Sequence, residues 1–185
     1  MFMRYIVTFL LFFLLQSCLS TTEQEDNKPN FFFSLENYFE KEIARLNQEQ
    51  PKVSKRITLE GKEEVKEFDT LDYQKELITF SNADINKIAW QDKYQADTTY
   101  TTDGKMQHIS YLAKDNKLKT QKITIQYTQE GEIEEIYIKA TTESFVADVY
   151  KELYYKPTTG YRFTSQQSTN ISKPTVVEVE ALFME

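Results

Sequence analysis

The sequence predicts an α+β domain: an antiparallel β-meander whose apolar face is covered by an amphipathic N-terminal helix, with a second short helix. Three observations carry that expectation. Apolar residues between 32 and 46 recur at three- and four-residue steps, whereas most later apolar residues alternate with polar ones. All four glycines, Gly61, Gly104, Gly131 and Gly160, fall between candidate strands, where tight hairpins need positive φ. The prolines Pro29, Pro51, Pro157 and Pro174 also sit only at element boundaries.

Taken in order, Phe32, Leu35, Phe39, Ile43 and Leu46 form one stripe of a helix over residues 30–50, with Asn30 as N-cap and Pro51 as its stop. A shorter helix covers Leu71 to Phe80, with Tyr73, Leu77 and Phe80 on one side and Asp69 or Thr70 as cap. Alternation then marks strands at Val53, Ile57 and Leu59, at Ile109 and Tyr111, and at Ile123, Ile125 and Tyr127. Ala147, Val149, Leu153 and Tyr155 share one face of a later strand, and Val177, Val179, Ala181 and Phe183 one face of the last. The opposite faces carry Asp148, Glu152, Glu178 and Glu180, as expected of a sheet with one side in water. Seven or eight strands are expected, without an internal repeat or a second domain.

The N-terminus has a separate logic. Arg4 supplies a positive start, and Tyr5 to Leu15 is apolar except for Thr8. Such a run is shorter than the roughly 20 apolar residues a spanning helix needs, and fits a cleaved secretory signal over residues 1–17. Leu15-Gln16-Ser17-Cys18 follows, and resembles the lipobox of bacterial lipoproteins. The resemblance implies cleavage before Cys18, a diacylglyceryl thioether on its sulfur and an acyl chain, such as palmitate, on the new amine. Gln16 departs from the small residue usual at its position. Cys18 is the one cysteine in the chain, so lipidation accounts for it where an intramolecular disulfide could not. At about 0.8 kcal/mol per buried methylene, two or three acyl chains anchor a protein durably.

Residues 18–30 then read as the lipidated cysteine and a polar tether, and 31–185 as one domain. The acidic cluster Glu23, Glu25 and Asp26 resembles surface-export signals of Bacteroidetes-type lipoproteins, although a solvated linker is the plainer reading. Phe39 to Asn47 and Asp84-Ile-Asn-Lys-Ile-Ala-Trp90 resemble uncharacterised lipoproteins of the same bacteria. That resemblance implies an envelope location, on the outer membrane, and a shared fold; no activity travels with it.

Composition narrows function. Loss of Arg4 with the signal leaves 21 basic against 29 acidic side chains, a formal charge of −8 over 168 residues. Nucleic acid, which is held through basic patches, is therefore excluded as a partner, and the membrane is reached through lipid rather than charge. Twenty-one aromatic residues remain after cleavage, enough for a core without disulfides.

Candidate chemistry is sparse. His108 is the single histidine, it lies in a strand opposite Ile109 and Tyr111, and no Gly-x-Ser-x-Gly elbow accompanies it. One histidine and no free cysteine do not make a usual zinc site, so no metal or cofactor is expected. Asn82, Asp84 and Asn86 space oxygens as a calcium loop does, but Lys87 and Lys93 replace its glycine and closing glutamate. Turn-forming and capping is their expected work. Glu63-Glu64 and Glu134-Glu135 read as solvated faces. Tyr150 and Tyr154 share a strand's polar face with Asp148 and Glu152, and are the candidate surface-binding residues, while tyrosine also favours strands on its own account.

Three functional classes follow. The first, favoured for want of catalytic groupings, is a non-enzymatic envelope lipoprotein binding a protein or glycan partner through its sheet. The second is a carrier or sensor of an apolar molecule held between sheet and helix. The third is a hydrolase with a cryptic carboxylate site.

Overall fold

The computed structural model describes residues 30–169, 171 and 173–184; the expected signal, Cys18 and the expected tether up to residue 29 lie outside the described residues. The architecture is α+β, with nine antiparallel strands in one open sheet and two α-helices on one of its faces.

Helix α1, Leu35–Glu49, begins later than the apolar stripe does. Ser34, not Asn30, caps it: its Oγ accepts the Asn37 N–H at 3.2 Å. Phe32 therefore precedes the helix, and packs edge-on against Tyr94 and Tyr111 at 5.7 and 5.3 Å. At the other end Gln50 turns left-handed at φ 45° and returns its N–H to Leu46, after which Pro51 prevents continuation. Leu35, Phe39, Ile43 and Leu46 are all buried.

The hairpin of β1 (Lys52–Leu59) and β2 (Lys62–Phe68) follows. Its two-residue turn, Glu60-Gly61, has φ of 50° and 80°, the left-handed pair that matches the strands' twist. Helix α2, Tyr73–Ser81, is capped by Asp72 rather than Asp69 or Thr70, because the Asp72 carboxylate accepts the Lys75 N–H at 3.2 Å. It carries the chain across the sheet to a short 3₁₀ turn, Ile88–Trp90, and the opposite edge. From there β3 (Tyr94–Tyr100), β4 (Met106–Ala113), β5 (Thr120–Tyr127), β6 (Ile133–Glu143), β7 (Ala147–Lys156), β8 (Gly160–Thr169) and β9 (Thr175–Met184) run as a meander.

Strand order is β2-β1-β9-β8-β7-β6-β5-β4-β3, so β9 closes against β1 and leaves β2 and β3 as edges. These two edges raise the count to nine. Neither has the apolar alternation that marks a half-buried strand: β2 is exposed along nearly its whole length, and β3 is mostly exposed after Tyr94.

Register sets the core. Ala181, Tyr161, Tyr155, Ile136, Ile125 and Ile109 stand side by side across six strands on the helix-bearing face. Rings fill the space between the layers. Phe39 lies 5.0 Å from Tyr155 and 5.2 Å from Phe80, and Phe80 lies 6.1 Å from Tyr161. Two of these tyrosines also fasten the helices. The Tyr155 hydroxyl donates to Glu42 of α1 at 2.5 Å, and Tyr161 donates to Glu76 of α2.

Candidate functional site

The outward face of the sheet is where side chains converge without being consumed by the core. One row runs Thr124, Tyr137, Tyr154, Arg162, Glu180 and Arg56 on β5, β6, β7, β8, β9 and β1. Within the row, two groups of side chains touch. Tyr137 and Tyr154 are 4.8 Å apart between ring centres, the Arg162 guanidinium lies 4.5 Å over the Tyr154 ring, and Arg56 pairs with Glu180 at 3.0 Å. The Tyr137 hydroxyl donates to Glu152 at 2.9 Å. Burial, and then that carboxylate, push the Tyr137 phenol well above its usual range. Period-two alternation and register assemble this ladder from residues far apart in sequence.

Beside it Gly160 opens a recess of about 290 Å³, bounded by Tyr154, Arg162, Glu135, Lys156, Glu180 and Leu182. Gly160 was expected as a hairpin glycine, and its role is stricter. At φ 134° its missing Cβ would stand 2.0 Å from the Ala181 carbonyl oxygen, so no other residue fits. The absent side chain lowers the outer face there, and the taller neighbours form walls. Lys156 and Glu135 pair across the rim at 3.3 Å. Both charge signs thus border the recess, with Leu182 and the edge of Tyr154 as its apolar part.

Of the two tyrosines singled out in sequence, Tyr154 lies in this site. Tyr150 lies on the same face but two rows along β7, about 13 Å away by strand rise, between Thr141 and Gln166. The structure does not bring the pair together. Tyr137, Arg162, Gly160 and Leu182 were missed, since alternation reveals which face a residue occupies and not its neighbour two strands away. Thr124, at the end of the ladder, holds the one buried side-chain oxygen without a hydrogen-bond partner among the described residues.

Of the remaining candidates, Asp84 and Asn86 have structural partners. Asp84 accepts the Glu36 N–H at 3.1 Å and the Asn86 N–H at 2.7 Å; Asn86 accepts the Phe32 N–H at 2.9 Å and donates to Phe33 O at 3.3 Å. The calcium-like spacing therefore caps α1 from the far side of α2. His108 is half-buried on β4 between Thr99 and Gln126. Glu42 is held by Arg45 at 2.8 Å and by Tyr155, and Glu76 by Lys55 at 2.7 Å and by Tyr161. Burial, reinforced by these carboxylates, raises both phenols far above their usual range. Among the described residues no group of three or more His, Cys, Asp or Glu is placed to hold a metal ion, and no helix is long and apolar enough to cross a membrane.

No protein-family model, no curated protein and no solved structure matches the chain.

Proposed function

We propose that this chain is an envelope lipoprotein, tethered through lipid on Cys18, whose domain docks a partner protein on the outer face of its sheet. The observation that carries the docking site is the ladder of Tyr137, Tyr154 and Arg162 beside the Gly160 recess. Tyrosine and arginine are the side chains that dominate protein interfaces. Here they are held rigid by their neighbours, so little rotamer entropy is lost on contact. A protein suits this geometry better than a glycan. A sugar stacks on an open ring face, whereas Tyr154 is flanked by Tyr137 on one side and Arg162 on the other and presents its edge and hydroxyl. The mixed charges at the rim call for a partner with complementary polar groups rather than a uniformly charged one.

The alternatives have less support. Carriage of an apolar molecule needs room between helix and sheet, where Phe39, Phe80 and Tyr155 stand 5.0–6.0 Å apart. A carboxylate hydrolase would draw on Glu42 and Glu76, and each of these is already bound to a tyrosine and a cation.

A photo-crosslinking residue at Leu182, on the recess, tests docking in the native envelope against the same residue at Lys66 on β2. A discrete protein adduct from 182 that vanishes in the Tyr154→Ala/Arg162→Ala background is expected. Equal labelling from both positions would sink the assignment. Anchoring is tested separately: Cys18→Ala should yield a folded protein that no longer partitions into the detergent-rich phase.

A further inference from the structure

The two edges of the sheet are defended unequally. Strand β2 carries charge at five of its seven positions, in Lys-Glu-Glu-Val-Lys-Glu-Phe, and a strand joining it would have to desolvate that row. Strand β3 is also seven residues long but reads Tyr-Gln-Ala-Asp-Thr-Thr-Tyr, with Asp97 its one charge and no proline. Just beyond the ends of the two strands, the Lys93 carbonyl accepts the Lys114 N–H at 2.9 Å, which fixes the alternation of the edge. Residues 95, 97 and 99 turn their backbone groups towards β4, and Tyr94, Ala96, Thr98 and Tyr100 turn theirs outward. The irregularity near Tyr100 does not break this, because Thr99 pairs with His108 and Tyr100 with Met106, leaving the extra residue, Gln107, on β4. The outward N–H and C=O groups of Ala96 and Thr98 have no partner among the described residues.

We propose that β3 is a strand-addition site, which takes an extended peptide segment of a partner protein as a tenth strand of the sheet. Main-chain pairing there would be independent of the outer-face recess, which lies several strands away. The occupant is a peptide of another protein rather than a second copy, because the net charge of −8 left after signal cleavage sets copies of the chain against one another.

The test uses a synthetic peptide, Lys-Thr-Val-Thr-Val-Thr-Val-Thr-Lys, added to the isotope-labelled protein. Amide shifts confined to Tyr94–Tyr100, with slowed exchange at Ala96 and Thr98, are expected. Thr98→Pro removes one outward donor without touching the β4 ladder, and should weaken binding by about tenfold or more, while Thr98→Ala keeps the donor and the binding. Thr98→Lys, which guards the edge as β2 is guarded, should weaken binding likewise and covers the case in which the proline variant does not fold. Absence of binding at millimolar peptide, or equal shifts on β2, would overturn the proposal. So would dimerisation without peptide that Thr98→Lys abolishes, since the edge would then belong to a second copy.

Discussion

Truncation of Phe39 to alanine probes the contact on which the layered fold depends. Its side chain is fully buried on α1, with ring neighbours Tyr38, Phe80 and Tyr155 at 5.2, 5.2 and 5.0 Å. A buried phenylalanine cut to alanine costs about 3–5 kcal/mol, through lost transfer energy and the cavity left behind. Each aromatic pair contributes about 0.5–1.5 kcal/mol beyond its area, so three neighbours place this site at the upper end. That is a large share of the roughly 5–15 kcal/mol that stabilises a domain. With a urea dependence of about 1–3 kcal/mol per molar, the unfolding midpoint should fall by about 2 M. Urea titration followed by circular dichroism and by Trp90 fluorescence measures it. A loss below about 1 kcal/mol with the fold intact would refute the reasoning. The rings would then be loosely packed, and an apolar ligand between helix and sheet would become the better reading.

Four further outcomes are expected. Gly160→Ala should cost about 2–5 kcal/mol in chemical denaturation, from backbone strain and the clash with Ala181. Asp84→Ala should cost about 1 kcal/mol by removing the distant cap of α1, and Asp84→Asn much less, since an amide oxygen can still accept. Thr124→Val should be neutral or stabilising in a thermal melt, because it removes a buried hydroxyl that has no partner. Stability should decline as pH rises through about 10, the ordinary tyrosine value. Tyr155 and Tyr161 keep their protons in the folded state while the unfolded chain releases them, so high pH favours unfolding. Melting temperature against pH should therefore fall in that window, and Tyr155→Phe should flatten the fall.

Much of the fold was legible along the chain because it is encoded locally. The α1 stripe, the alternation in β5, β7 and β9 and the boundary glycines each reflect a period or a backbone preference that needs no distant residue. Chain order fixed less at the edges. Strands β2 and β3 bury little, so selection on their side chains leaves no periodic mark, and backbone pairing alone makes them strands. Caps were misplaced for a related reason: Ser34 and Asp72 win their positions through where the helices dock, and Asp84 caps α1 across a gap of 48 residues.

The outer-face site shows the same division. Sequence determined that Tyr150 and Tyr154 share the polar face, because side chains two and four residues apart on a strand point the same way. Only the tertiary structure decided that Tyr154 joins Tyr137 and Arg162 beside Gly160, while Tyr150 stands apart. Lateral neighbours in a sheet are set by strand order and register, and these are fixed by how the whole apolar face meets its helices rather than by any one segment.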